Sequence, residues 1–147
     1  MKSIRASESH VWRQWLARIF IFIVLTWNLE AAISFLVSPA PYLAAFELKG
    51  LPGEIAVAGT GLLFLMWQGP YVFAMGNPMK FKVSLIEALV MQSIGLVGES
   101  LLLTRITSEH AMLSSSITRF ILFDGIGVVL LGGALVLVCL RTTRKEV

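Results

Sequence analysis

Three acidic side chains, Glu30, Glu99 and Asp124, fall inside long apolar runs of this chain. An acidic residue at the centre of a membrane helix costs ~2.5 to 3.5 kcal/mol on insertion scales, so three of them are not expected to face lipid. Counting ~1.5 Å of rise per residue along each run puts the three in one layer, with Thr60 at a similar depth and Arg119 nearer the surface. Two chemistries follow. Crowded carboxyl groups in a low dielectric hold protons or a cation, and Glu99 and Asp124 are the pair expected to share one. Alternatively, Arg119 or Arg105 pairs with one carboxylate while the others bond to hydroxyls or stay protonated, which is structural chemistry and nothing more.

Spacing along the chain aims these groups inward. Ala88, Gln92, Gly95 and Glu99 form one helical stripe, and the other side of that helix is largely Leu, Ile and Val. Thr26, Glu30 and Ser34 make a second polar stripe. Gly95, Gly98, Gly125, Gly127, Gly132 and Gly133 let helices approach closely. A second polar layer is expected toward the cytoplasm, where Glu87 follows Lys80 and Lys82 and Gln68 precedes a kink. Those lysines can snorkel to the interface and neutralise Glu87.

The elements that must hold these residues are four apolar runs, at about 16–37, 55–75, 83–104 and 117–140. Each reaches the ~20 residues that a helix needs to cross ~30 Å of hydrocarbon. The chain of 147 residues is 56% hydrophobic and 14% charged, far from the roughly one quarter charged in globular proteins. It reads as all-α: a single membrane domain over residues 1–147, folded as an integral membrane antiparallel four-helix bundle. The joints are too short to hold a soluble catalytic module. Within span two, Pro70 frees the carbonyl of Met66, so Gly69-Pro70 predicts a kink. The joint from Ser38 to Gly53 is the one long linker. It is expected to lie along the membrane, with a short interfacial helix around Tyr42, Leu43, Phe46 and Leu48. Ahead of span one, Ile4, Val11, Trp12, Trp15, Leu16 and Ile19 recur at helical spacing between arginines, which predicts an interfacial lead-in helix. The first run is longer than a signal-peptide core and carries Asn28 and Glu30, so it reads as a retained span.

Charge sets the orientation. Lys2, Arg5, Arg13, Arg18, Lys80, Lys82, Arg141, Arg144 and Lys145 fall on one side, against Lys49, Arg105 and Arg119 on the other. Nine against three predicts a multi-pass protein of the plasma (inner) membrane with both termini and the second joint cytoplasmic. The same bias argues against dual topology.

Several functions drop out. Cys139 is the single cysteine, so paired-thiol redox chemistry and thiolate metal clusters are excluded. His10 and His110 both fall outside the spans, which excludes an intramembrane bis-histidine haem site. The basic residues flank the spans, where they meet lipid head groups and not nucleic acid. No nucleophile and base, metal set or phosphate loop can be assembled, so no catalytic residue and no cofactor is assigned.

Four spans, a basic amino terminus and a linker ending in Gly50-Leu51-Pro52-Gly53-Glu54 before an alanine- and glycine-containing second span resemble the DoxX-like small membrane proteins. The resemblance implies a four-helix bundle linked to redox or quinone-associated complexes, and carries over no catalytic residue. That family places an acidic residue well inside span two, whereas Glu54 stands at its mouth. The small multidrug-resistance transporters share four spans and a glutamate in the first, which Glu30 echoes. Their surrounding aromatic pattern is absent here.

Three readings stand. The first is a structural or accessory subunit of a membrane complex, with a membrane protein partner or a second copy against the apolar outer faces. The second is a proton- or cation-coupled carrier of a small amphiphile built on Glu30, Glu99 and Asp124. The third is an enzyme acting on a lipid or quinone, with its small hydrophobic ligand between Glu99, Asp124 and Trp27.

Overall fold

The computed structural model describes residues 2–140, with side chains from Val11 onward. The described residues form helices and turns with no strand among them. Helix α1 runs Lys2–Val37, followed by two 3-10 turns, Ala40–Tyr42 and Ala44–Phe46. Helices α2 (Gly50–Met66), α3 (Gln68–Gly76), α4 (Lys82–Leu103) and α5 (Ala111–Cys139) complete the chain. The stretches Val11–Val37, Gly50–Gly76, Lys82–Leu103 and Ala111–Cys139 are each long and apolar enough to cross a membrane. Phe22, Ile55, Val72, Ile94 and Val129 all point outward and are about half exposed or more. In water such a surface would aggregate; a bilayer covers it while each helix satisfies its own backbone.

Helix ends depart from the expected boundaries in informative ways. Helix α2 begins at Gly50, not 55, and α5 at Ala111, not 117. Hydropathy marks where lipid contact starts, whereas backbone hydrogen bonding continues into the polar joints. The lead-in is no separate helix, because α1 is continuous from Lys2 into the first span. Trp12 and Trp15 stand exposed on it. The Ile4, Lys2 and Arg5 side chains and all of Arg141, Arg144 and Lys145, on which part of the orientation reading rests, lie outside the described residues. The linker forms two 3-10 turns in place of one short helix, closed by Glu47 in the left-handed region at φ 54° and by the Leu48 N–H bonded to the Leu43 carbonyl at 2.9 Å.

The second run breaks at Trp67, one turn ahead of Pro70. Proline has no N–H for the Met66 carbonyl, so the ladder is interrupted there and α3 sets off anew. The Gln68 amide donates to the Phe64 carbonyl at 2.6 Å across this break.

Helix α1 packs against α2, α3 and α5, and α4 packs against α3 and α5. One end of the molecule is solid. Ala17, Ile21, Val24 and Leu25 of α1 meet Tyr71 and Ala74 of α3, Leu85 and Ala88 of α4, and Leu131, Ala134 and Val138 of α5 in one buried cluster. At this end the Arg18 guanidinium donates to the Gly76 carbonyl at 2.6 Å, placing a cation at the carbonyl end of α3. The other end, beside the linker, is hollow.

Candidate functional site

The hollow is a cavity of about 530 Å³, within the range of small-molecule sites. The second half of α1, the linker turns, the α2–α3 break, the second half of α4 and the first half of α5 enclose it. Its wall is aromatic. Trp27 and Phe123 lie 5.6 Å apart between ring centroids, and Phe120 packs against Phe35, Phe46 and Phe64 at 6.1 to 6.3 Å. Tyr42 meets the edge of Phe35 at 4.7 Å. Trp27 and Glu30 line the cavity and are also exposed, so the cavity opens beside them.

A polar chain crosses the floor. The Tyr71 hydroxyl donates to Gln92 Oε1 at 2.7 Å and also approaches the Ala88 carbonyl at 3.1 Å. Gln92 in turn donates from Nε2 to Asp124 Oδ1 at 2.6 Å. Gln92 is 4% exposed. Close helix contact makes this geometry: a Cβ on Gly95 would strike the Asp124 carboxylate, and one on Gly127 would strike the Gln92 amide. Each glycine is the socket for the polar side chain of the other helix. Gly98 and Gly132 have nothing within 4 Å of a built Cβ and do no such work.

Of the residues singled out from sequence, Glu30, Gln92, Glu99, Arg119 and Asp124 all line the cavity. Thr60 does not, since its hydroxyl turns back onto the Ala56 carbonyl at 3.0 Å. Thr26 likewise bonds its own helix at Phe22 and lies outside. Gln68, placed by sequence in a separate cytoplasmic layer, belongs to the cavity wall, because the break at Trp67 turns it there. Glu87 is exposed, and among the described residues it makes no ion pair with Lys80 or Lys82.

Neither Arg119 nor Arg105 pairs with a cavity carboxylate; Arg119 donates to Ser116 Oγ at 3.2 Å, on its own helix. No hydrogen bond joins Glu99 directly to Asp124, whose Oδ1 is taken by Gln92. Two buried acceptors on wall residues, Gln68 Oε1 and Glu99 Oε2, have no partner among the described residues.

Two features escaped the sequence reading. Tyr71 anchors the polar chain, and its place one turn after Gln68 on α3 is the signal that pairs them. The other is a tether over the cavity. His110 Nδ1 donates to Glu47 Oε2 at 2.5 Å, and the Leu113 N–H donates to Glu47 Oε1 at 3.3 Å. The bond from His110 holds the Glu47 carboxyl below its ordinary value. Leu113 lies in the first turn of α5, where backbone N–H groups lack helical partners. Tyr42, Ala45 and Phe46, just ahead of Glu47, form part of the cavity wall, so the tether fixes that wall to α5.

Comparison with known proteins adds no family: no family model matches this chain, and no curated protein or solved structure does either.

Proposed function

We propose that this chain is a multi-pass protein of the plasma (inner) membrane that binds a small amphiphilic molecule in the cavity beside its linker, as a carrier does. The four spans form an antiparallel bundle, and the excess of Lys and Arg puts both termini in the cytoplasm and the linker outside. One observation carries the reading. An aromatic-walled cavity of about 530 Å³, of small-molecule size, is lined by Gln68 and Glu99, each with one buried oxygen that no group among the described residues satisfies. A DoxX-like layout supports the bundle and assigns no residue to the cavity.

The accessory-subunit reading rests on apolar outer faces, which lipid covers as well as a partner would. The cavity therefore ranks binding ahead of it. An enzyme would need a nucleophile or a proton-transfer pair aimed at a bound molecule, and of the hydroxyls in the wall Tyr71 donates to Gln92 and Ser116 accepts from Arg119.

Native mass spectrometry of the full chain, released gently from its own membrane, tests the proposal. A protein carrying one small amphiphile, lost in the Trp27→Ala and Glu99→Gln variants, is the expected result. A chain with no small molecule but a stoichiometric protein partner overturns it in favour of the accessory subunit.

A further inference from the structure

We infer that the cavity takes its guest sideways out of the bilayer, through the seam between α1 and α5: a membrane-dissolved amphiphile that enters head first and leaves its tail in the lipid. The inference rests on the binding role proposed above and adds the route, which the walls of the cavity decide. One end is closed by the buried cluster around Ile21, Leu85 and Leu131. At the linker end, Phe46 stacks on Phe120 at 6.1 Å, Tyr42 and Phe46 both pack on Phe35, and Glu47 is bonded to His110 and to the Leu113 N–H of α5. Rings and a tether roof that end against water.

The side is open. Trp27 and Glu30 of α1 and Arg119 and Ile126 of α5 line the cavity and are exposed as well. Trp67, also exposed in the wall, stands apart at the break between α2 and α3, against Phe64. Trp27, Glu30 and Ser34 follow one another at intervals of three and four along α1, as do Arg119, Phe123 and Ile126 along α5, so each set forms one edge of its helix. Trp27 meets Phe123 across the gap. The two edges face one another as the lips of a slit.

Polarity along the slit follows the leaflet beside it. Ser34 and Arg119 lie toward the linker, at the level of head groups. From Val37 back to Trp27 is ~15 Å of rise, about half of a ~30 Å hydrocarbon layer, so Trp27 and Ile126 lie at acyl-chain depth. That is deeper than the head-group level tryptophan favours. Behind the slit, the bonded chain of Tyr71, Gln92 and Asp124 supplies a polar floor. A head group passing between the lips moves from one polar surface to another, while the tail it trails stays among apolar side chains and lipid. Entry through the roof would instead strip the tail of apolar cover and part the stacked rings.

The test uses the full chain in phospholipid nanodiscs and two dodecanol probes, each with one photoreactive diazirine, either beside the hydroxyl or at the far end of the tail. Labelled residues are mapped by mass spectrometry, and displacement by excess dodecanol separates site labelling from lipid background. The head probe should label the interior around Tyr71 and Gln92, and the tail probe Trp27 and Ile126. Ile126→Trp puts a ring in the path of the tail and should weaken displaceable labelling by about tenfold, as overpacking does. Val97→Trp adds the same ring to an exposed position of α4 outside the cavity wall and should change nothing. Displaceable labelling by both probes inside the cavity alone, unaffected by Ile126→Trp, overturns the seam and leaves the binding role standing. No displaceable labelling by either probe removes the seam together with the binding role beneath it.

Discussion

Gln92 of α4 and Asp124 of α5 are joined by a 2.6 Å hydrogen bond, and each sits against a glycine of the opposite helix, Gly127 and Gly95 respectively. The bond and the close approach depend on one another. Removing Gln92 strands Asp124 Oδ1 and leaves the Tyr71 hydroxyl with the Ala88 carbonyl alone. Gln92→Leu should therefore lower unfolding stability by about 1 to 2 kcal/mol, the scale of interhelical hydrogen bonds in membranes. Asp124→Asn keeps the acceptor and the volume, and should cost under about 1 kcal/mol. Thermal unfolding of both variants in one detergent makes the comparison.

Glycine substitutions should divide by what their Cβ meets. At Gly61 it would reach the Ala32 carbonyl and the Leu36 nitrogen of α1 at 2.7 and 2.8 Å. Backbone cannot turn aside, so Gly61→Ala should force α1 and α2 apart and cost about 1 to 3 kcal/mol. Gly98→Ala and Gly132→Ala meet nothing within 4 Å and should stay within about 0.5 kcal/mol of the parent, or gain from better helix propensity. A loss at Gly98 equal to that at Gly61 would contradict the packing described.

The tether between Glu47 and His110 should respond to acid. Folding depresses the Glu47 carboxyl below its ordinary 4.5, so its contribution is complete above about that pH and fades as pH falls through the lower folded value. Amide hydrogen exchange over the linker, residues 40–48, should accelerate below that point relative to the rest of the chain. Glu47→Gln should abolish this extra dependence, and an unchanged acid response in that variant would separate the linker from the Glu47 carboxyl.

Pro70 positions Gln68 without touching a ligand. Pro70→Ala restores an N–H for the Met66 carbonyl and should let α2 and α3 run as one helix, rotating Gln68 off the cavity wall. Occupancy of the co-purifying amphiphile in native mass spectrometry should fall, while the far-ultraviolet helix signal stays level or rises. Full occupancy in Pro70→Ala would show that the break at Trp67 has another cause.

The four apolar stretches were legible because twenty-residue runs with few charges have one physical solution. The inward aim of Gln92 and Glu99 was legible because a stripe at intervals of three and four leaves a single face for polar groups. Thr60 misled because depth along a helix says nothing about its direction around the helix. Gln68 misled because a break in the ladder resets the face that follows it. The Glu47–His110 contact joins residues 63 apart, each in a polar joint without periodicity, and no local pattern announces such a meeting.

The solid end and the hollow end are built from the same long helices. Rods pressed together at one end and held apart at the other act as tongs, with the fulcrum at Ala17, Leu85 and Val138 and the jaws at Trp27, Glu99 and Phe123. Grip at the jaws is then set by stiffness at the fulcrum. Methyl groups at the packed end, at Ala17 or Ala134, then bear on how wide the hollow end stands, without lining the cavity themselves.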